Sequence, residues 1–91
     1  MNNTPAIQTN HAIVNVTYAG QNGDLADPVP FDLSDADIRR MATEALASGA
    51  VVGVPTQTNP DLRDFVVDRF EANEAVPFRR VMLRPKTPFG G

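Results

Sequence analysis

The segment SDADIRRMATEALASG, residues 34–49, decides the fold class. Ser34 is a residue type that accepts from the free amides of a first helical turn. Asp35 and Asp37 follow it, where negative charge complements the positive end of a helix dipole. Ile38, Met41, Ala42, Ala45 and Leu46 then recur at i, i+3, i+4, i+7 and i+8, which lays one apolar stripe along a helix. Gly49 takes without strain the left-handed conformation that ends many helices. The spacing predicts one amphipathic helix over residues 35–48, and a helix with a single apolar stripe needs a surface to cover.

The flanking segments supply that surface. From His11 to Tyr18 the chain alternates: Ala12, Val14, Val16 and Tyr18 point one way and Ile13, Asn15 and Thr17 the other, the pattern of a half-buried strand. Residues 19–24 carry two glycines and an Asn-Gly step and read as a turn. Val29, Phe31 and Leu33 alternate as a second strand, and Pro28 and Pro30, which lack ladder donors, place it at a sheet edge. Residues 50–54 read as a short buried strand. Asn59-Pro60-Asp61 resembles a second helix start, with a cap, a first-turn proline and an acid. Leu62, Phe65, Val66 and Phe70 fit a helical face over residues 60–69, although Phe65-Val66-Val67 suits a strand as well. The last strand spans residues 78–84, with Arg79, Val81 and Leu83 on one face and Phe78, Arg80, Met82 and Arg84 on the other; Pro85 ends it. The expected organisation is a leader over residues 1–10, a domain over 11–85 and a tail over 86–91.

Bulk properties narrow the function classes. The 91 residues make one domain, and 42% hydrophobic with 21% charged residues is an ordinary folded composition. No apolar run approaches the roughly 20 residues of a membrane span, and residues 1–5 show neither the basic nor the apolar region of a signal peptide. Cysteine is absent, which excludes disulfides, thiolate metal sites and a cysteine nucleophile in this chain and agrees with a cytoplasmic protein. A net charge of −3 argues against a dedicated nucleic-acid binder. The charge is also polarised. Residues 1–74 hold all eleven acids and four arginines, for −7, whereas residues 75–91 hold Arg79, Arg80, Arg84 and Lys86 and no acid, for +4. Such a basic exit strand can steer a tail toward an acidic groove. His11 stands alone, and Asp35, Asp37, Asp64 and Asp68 read as solvated helix faces, since no calcium loop accompanies them. No phosphate-binding glycine motif and no nucleophile elbow is present, so the chain reads as a non-enzyme with no cofactor or metal of its own.

Strand, strand, helix, strand, short helix and strand, with the first two strands joined by a short turn, specify an α+β protein. Its mixed four- to five-stranded sheet is packed on one main helix. That arrangement is the β-grasp. With the final segment FRRVMLRPKTPFGG, residues 78–91, it resembles the ubiquitin-like proteins, and more narrowly the small bacterial ones encoded beside activating, conjugating and peptidase-like enzymes. The tail departs from ubiquitin's in its two prolines and Phe89, and residues 50–77 do not accommodate ubiquitin's third and fourth strands clearly.

The resemblance implies a protein modifier. The Gly91 carboxylate would attack the α-phosphate of ATP on a partner activating enzyme, releasing pyrophosphate. A thiol would capture the acyl-adenylate and release AMP, and a conjugating enzyme would pass the thioester to an amine or hydroxyl of a protein target. A deconjugating peptidase could reverse the bond. Gly91 is the acyl donor and Gly90 its spacer, because glycine permits close backbone approach in a narrow channel. Pro88 and Phe89, with Lys86, are the expected tail contacts, proline lowering the entropy lost on docking. Phe78, Arg80, Met82 and Arg84 form the expected docking surface, apolar groups ringed by arginine on the sheet face away from the helix, with Ile13 beside them. Lys86 is the only lysine, so the body offers no amine for chain formation. Two alternatives remain open: a sulfur carrier of the same fold whose terminal glycine becomes a thiocarboxylate, and a β-grasp binding module that is never activated.

Overall fold

The computed structural model describes residues 10–86. The elements run β1 (His11–Tyr18), β2 (Gln21–Asp24), β3 (Val29–Pro30), α1 (Asp35–Ser48), β4 (Val66–Phe70) and β5 (Arg79–Arg84). They form an α+β domain: one five-stranded mixed sheet in the order β2-β1-β5-β4, with β3 also paired to β1, and one helix against it. The expectations for the leader through residue 9, and for Pro88, Phe89, Gly90 and Gly91, fall outside the described residues.

The helix forms where its caps and stripe predict. The Ser34 hydroxyl accepts from the Asp37 amide at 3.1 Å, and Gly49 at φ 79° donates its amide to the Ala45 carbonyl. Ile38, Ala42, Ala45 and Leu46 are buried against the sheet. They meet Ala12, Val14 and Val16 of β1 and Val81 and Leu83 of β5 in one core, which Leu25, Val29, Val51, Val54 and Leu62 complete. β1 and β5 lie parallel at the centre, Val14 opposite Val81 and Val16 opposite Leu83. A fully buried aliphatic side chain is worth about 1.5–3 kcal/mol, so this double row against the helix stripe is the main apolar contribution to stability.

Four local expectations are corrected. The turn over residues 19–24 shrinks to Ala19 and Gly20, both at positive φ, which suits a two-residue hairpin. Gln21–Asp24 continues as strand β2, because its polar residues are paired across to β1. The strand expected through Phe31 and Leu33 stops at Pro30; only Val29 and Pro30 pair, with Ala12 and His11. Residues 50–54 contribute one bridge, Leu25 with Val51. A turn interrupts them: the Val54 amide donates to the Val51 carbonyl at 3.1 Å, with Gly53 at φ 79°. Val51 and Val54 are buried while Val52 is 67% exposed.

The largest correction concerns residues 60–69. They do not form a helix. Asn59 sits at φ 48°, and the Asp61 carboxylate accepts from the Arg63 amide at 3.1 Å. That local bond offers the backbone an alternative to helical pairing. Phe65 donates to the Leu62 carbonyl at 3.0 Å and stacks on Tyr18, ring centroids 5.9 Å apart. From Val66 the chain becomes β4, antiparallel to β5. Asp64 therefore lies in a turn and Asp68 on a strand, not on a helix face.

Candidate functional site

The period of two that buries Val81 and Leu83 turns Arg80, Met82 and Arg84 to the opposite side of the sheet. The helix covers one side only. Register then decides what gathers on the other. Ile13 is opposite Arg80 and Asn15 opposite Met82 across the parallel pair. Phe70 is opposite Arg80, Asp68 opposite Met82 and Val66 opposite Arg84 across β4. Asp24 is opposite Asn15 on the far side.

A groove of about 320 Å³ lies on this face, lined by Ile13, Asn15, Asn22, Asp24, Phe78, Arg80 and Met82. Three of the four expected docking residues, Phe78, Arg80 and Met82, thus share one depression with Ile13. Arg84 does not line it; it sits exposed at the end of β5, its guanidinium donating to Asp68 at 3.0 Å. Lys86 is exposed beyond the strand. It lines a separate hollow with Asp35, Arg39 and Val67, among others.

The groove has one apolar and one polar wall. Ile13, Phe78 and Met82 are half-buried. The polar wall is an internally paired network: Asn15 donates to Asn22 at 3.0 Å and to Asp24 at 2.8 Å, and Asn22 donates back to Asn15 at 2.7 Å and to Thr17 at 2.8 Å. Arg80 is different. Its guanidinium lies 5.0 Å from the centre of the Phe70 ring, a cation–π distance, while its Nε is buried with no hydrogen-bond partner among the described residues. A buried unpaired donor costs free energy until an acceptor arrives. The arrangement therefore suits a ligand that brings an apolar side chain and an oxygen acceptor together.

Reading the sequence missed Asn15, Asn22, Asp24 and Phe70 as members of this face. The alternation of β1 already turned Asn15 outward; the others depend on β2 and β4 being strands. Outside the groove, Asp61 and Arg63 form an exposed ion pair at 3.0 Å. The Arg63 backbone amide, then its guanidinium, hold the Asp61 carboxyl below the usual carboxylate range. His11 contacts the Asn10 side chain at 3.0 Å. Among the described residues no group of three or more metal-ligating side chains occurs, and no helix is long and apolar enough to cross a membrane. The chain matches no family model, no curated protein and no solved structure.

Proposed function

We propose that this chain is a ubiquitin-like β-grasp modifier, activated through Gly91 where that residue carries the free carboxylate of the mature protein. The observation that supports the reading is the parallel β1–β5 pair at the sheet centre with one helix across a single face. In this arrangement the last strand is locked between β1 and β4, and the chain leaves it through exposed Arg84, Pro85 and Lys86. A tail emerging from a strand held on both sides has a fixed origin, which is what a channel in an activating enzyme requires.

On this reading the modifier supplies position and the partner supplies chemistry. The groove formed by Ile13, Phe78, Arg80 and Met82 docks the body on the activating or conjugating enzyme, with a partner carbonyl or carboxylate accepting from Arg80 Nε. ATP is consumed by the partner enzyme. The target receives the Gly91 acyl group at an amine or hydroxyl, and the enzyme thiol is released.

The test is ATP–pyrophosphate exchange with the activating enzyme encoded nearest the gene, followed by a non-reducing gel. The expected result is exchange that needs Gly91, then a thiol-sensitive band and a stable adduct. An intact mass showing oxygen-to-sulfur exchange at the terminus assigns the sulfur-carrier reading instead. A natural protein that retains residues beyond Gly91, or whose function survives deletion of Gly90 and Gly91, refutes activation and leaves a binding module.

A further inference from the structure

The two edges of the sheet are finished differently. The chain itself covers the end of the β2 edge: Ala26 donates to the Ala50 carbonyl at 2.9 Å and Val52 donates to the Asp24 carbonyl at 2.8 Å. Gly23 makes this possible, because a Cβ there would lie 2.3 Å from the Val52 carbonyl oxygen. Among the described residues β4 ends the other side and pairs with β5 alone. Among the described residues, no backbone hydrogen bond beyond that ladder involves residues 66–70. Backbone donors and acceptors along such an edge are satisfied by water or by another strand.

We propose that β4 receives an extended segment of a partner protein as an added strand, a site separate from the groove. The side chains flanking the edge define what fits. Val66, Asp68 and Phe70 share the outer face, and Phe70 is 38% exposed. Val67 and Arg69 share the helix side, where Arg69 pairs with Asp35 at 2.5 Å. Beside the start of the strand lies a hollow of about 400 Å³ whose lining includes Arg39, Phe65, Val66 and Val67. It has room for side chains of an incoming strand. The complementary segment carries apolar residues opposite Val66 and Phe70, a basic residue that joins Arg84 at the Asp68 carboxylate and an acid that joins Asp35 at the Arg69 guanidinium. Ladder hydrogen bonds supply affinity and these alternate positions supply selectivity. A second copy of this chain fits less well: an antiparallel two-fold pairing that matches all five residues sets Asp68 against Asp68, and like charges directly opposite are destabilising.

The probe is the synthetic peptide TVEKVIT, capped at both ends, titrated into the full isotope-labelled chain. Run antiparallel to β4, it places Glu against Arg69 and Lys against Asp68. Expected are amide shifts and slowed exchange over residues 66–70, saturating below about 1 mM. Binding should weaken roughly tenfold when Glu and Lys are interchanged, about 1.4 kcal/mol. It should be lost when the edge-facing peptide amides are N-methylated. Asp68→Lys should restore binding to a peptide with Glu at the facing position. Absence of protection over 66–70, shifts confined to Ile13, Phe78 and Met82, or equal binding of the N-methylated peptide overturns the proposal. So does concentration-dependent protection of β4 without peptide, which assigns the edge to a second copy. None of these outcomes depends on activation at Gly91.

Discussion

On one face of β1 and β5 sit Ala12, Val14, Val16, Val81 and Leu83, none more than 1% exposed. One residue along the same strands, on the other face, sit Ile13, Asn15, Arg80 and Met82, all half-buried. The first set is aliphatic and interlocks with Ile38, Ala42 and Leu46 of the helix. The second mixes apolar, amide and guanidinium groups and, among the described residues, has no element over it. Shape and volume govern the covered face, where every methylene has neighbours. Pairing governs the open face, where polar groups satisfy one another and, among the described residues, the Arg80 Nε donor is left over.

This contrast predicts a steep gradient of mutational effects. Leu83→Ala removes a side chain 1% exposed and should cost about 2–5 kcal/mol in urea unfolding; a loss below 1 kcal/mol would mean that the covered face is not close-packed. Gly23→Ala comes next. Its Cβ meets backbone, the Val52 carbonyl oxygen, which cannot swing aside as a side-chain tip can. It should cost about 1–3 kcal/mol, the range for overpacking, with loosened amide protection at Val52. Ser34→Ala deletes the acceptor for the Asp37 amide and should cost about 1 kcal/mol, read from the same denaturation curves.

On the open face, Met82→Ala and Arg84→Ala should each stay within about 0.5 kcal/mol of the parent. Arg80→Met, which removes the unpaired donor while keeping an unbranched stem over Phe70, should leave stability unchanged or raised. A marked destabilisation by Arg80→Met would show that the donor is satisfied in solution and would erase the distinction between the faces. The smallest effect is at Asp61. Its folded carboxyl titrates below the usual range because Arg63 donates to it. Its contribution is therefore fully present above about pH 4, the unfolded value, and disappears as pH falls through the lowered folded value. Melting temperatures of the parent and Asp61→Asn should converge on acidification; a gap that widens toward low pH contradicts the assignment.

Legibility followed the range of the interactions. Residues 11–18 and 35–48 were readable because period and caps are written within each segment. The groove was half readable: alternation alone turned Phe78, Arg80, Met82 and Ile13 away from the helix. Asn22, Asp24 and Phe70 joined them only because QNGD and VVDRF became strands. Neither segment announces that. QNGD has turn composition and is held by its polar pairing with Asn15 and Thr17, whereas VVDRF fits either period.

The sequence by itself determined the helix, its ends, the two central strands and which of their residues face inward, since short-range sterics and amphipathic period need no distant partner. It also determined the acidic body, the basic exit strand and the single lysine. Tertiary structure alone decided that residues 66–70 extend beside β5, that residues 50–54 close one edge through a turn, and that Arg80 meets Phe70. Each of these depends on hydrogen bonds or ring contacts between separate segments, whose free energy exists only after the core has brought them together.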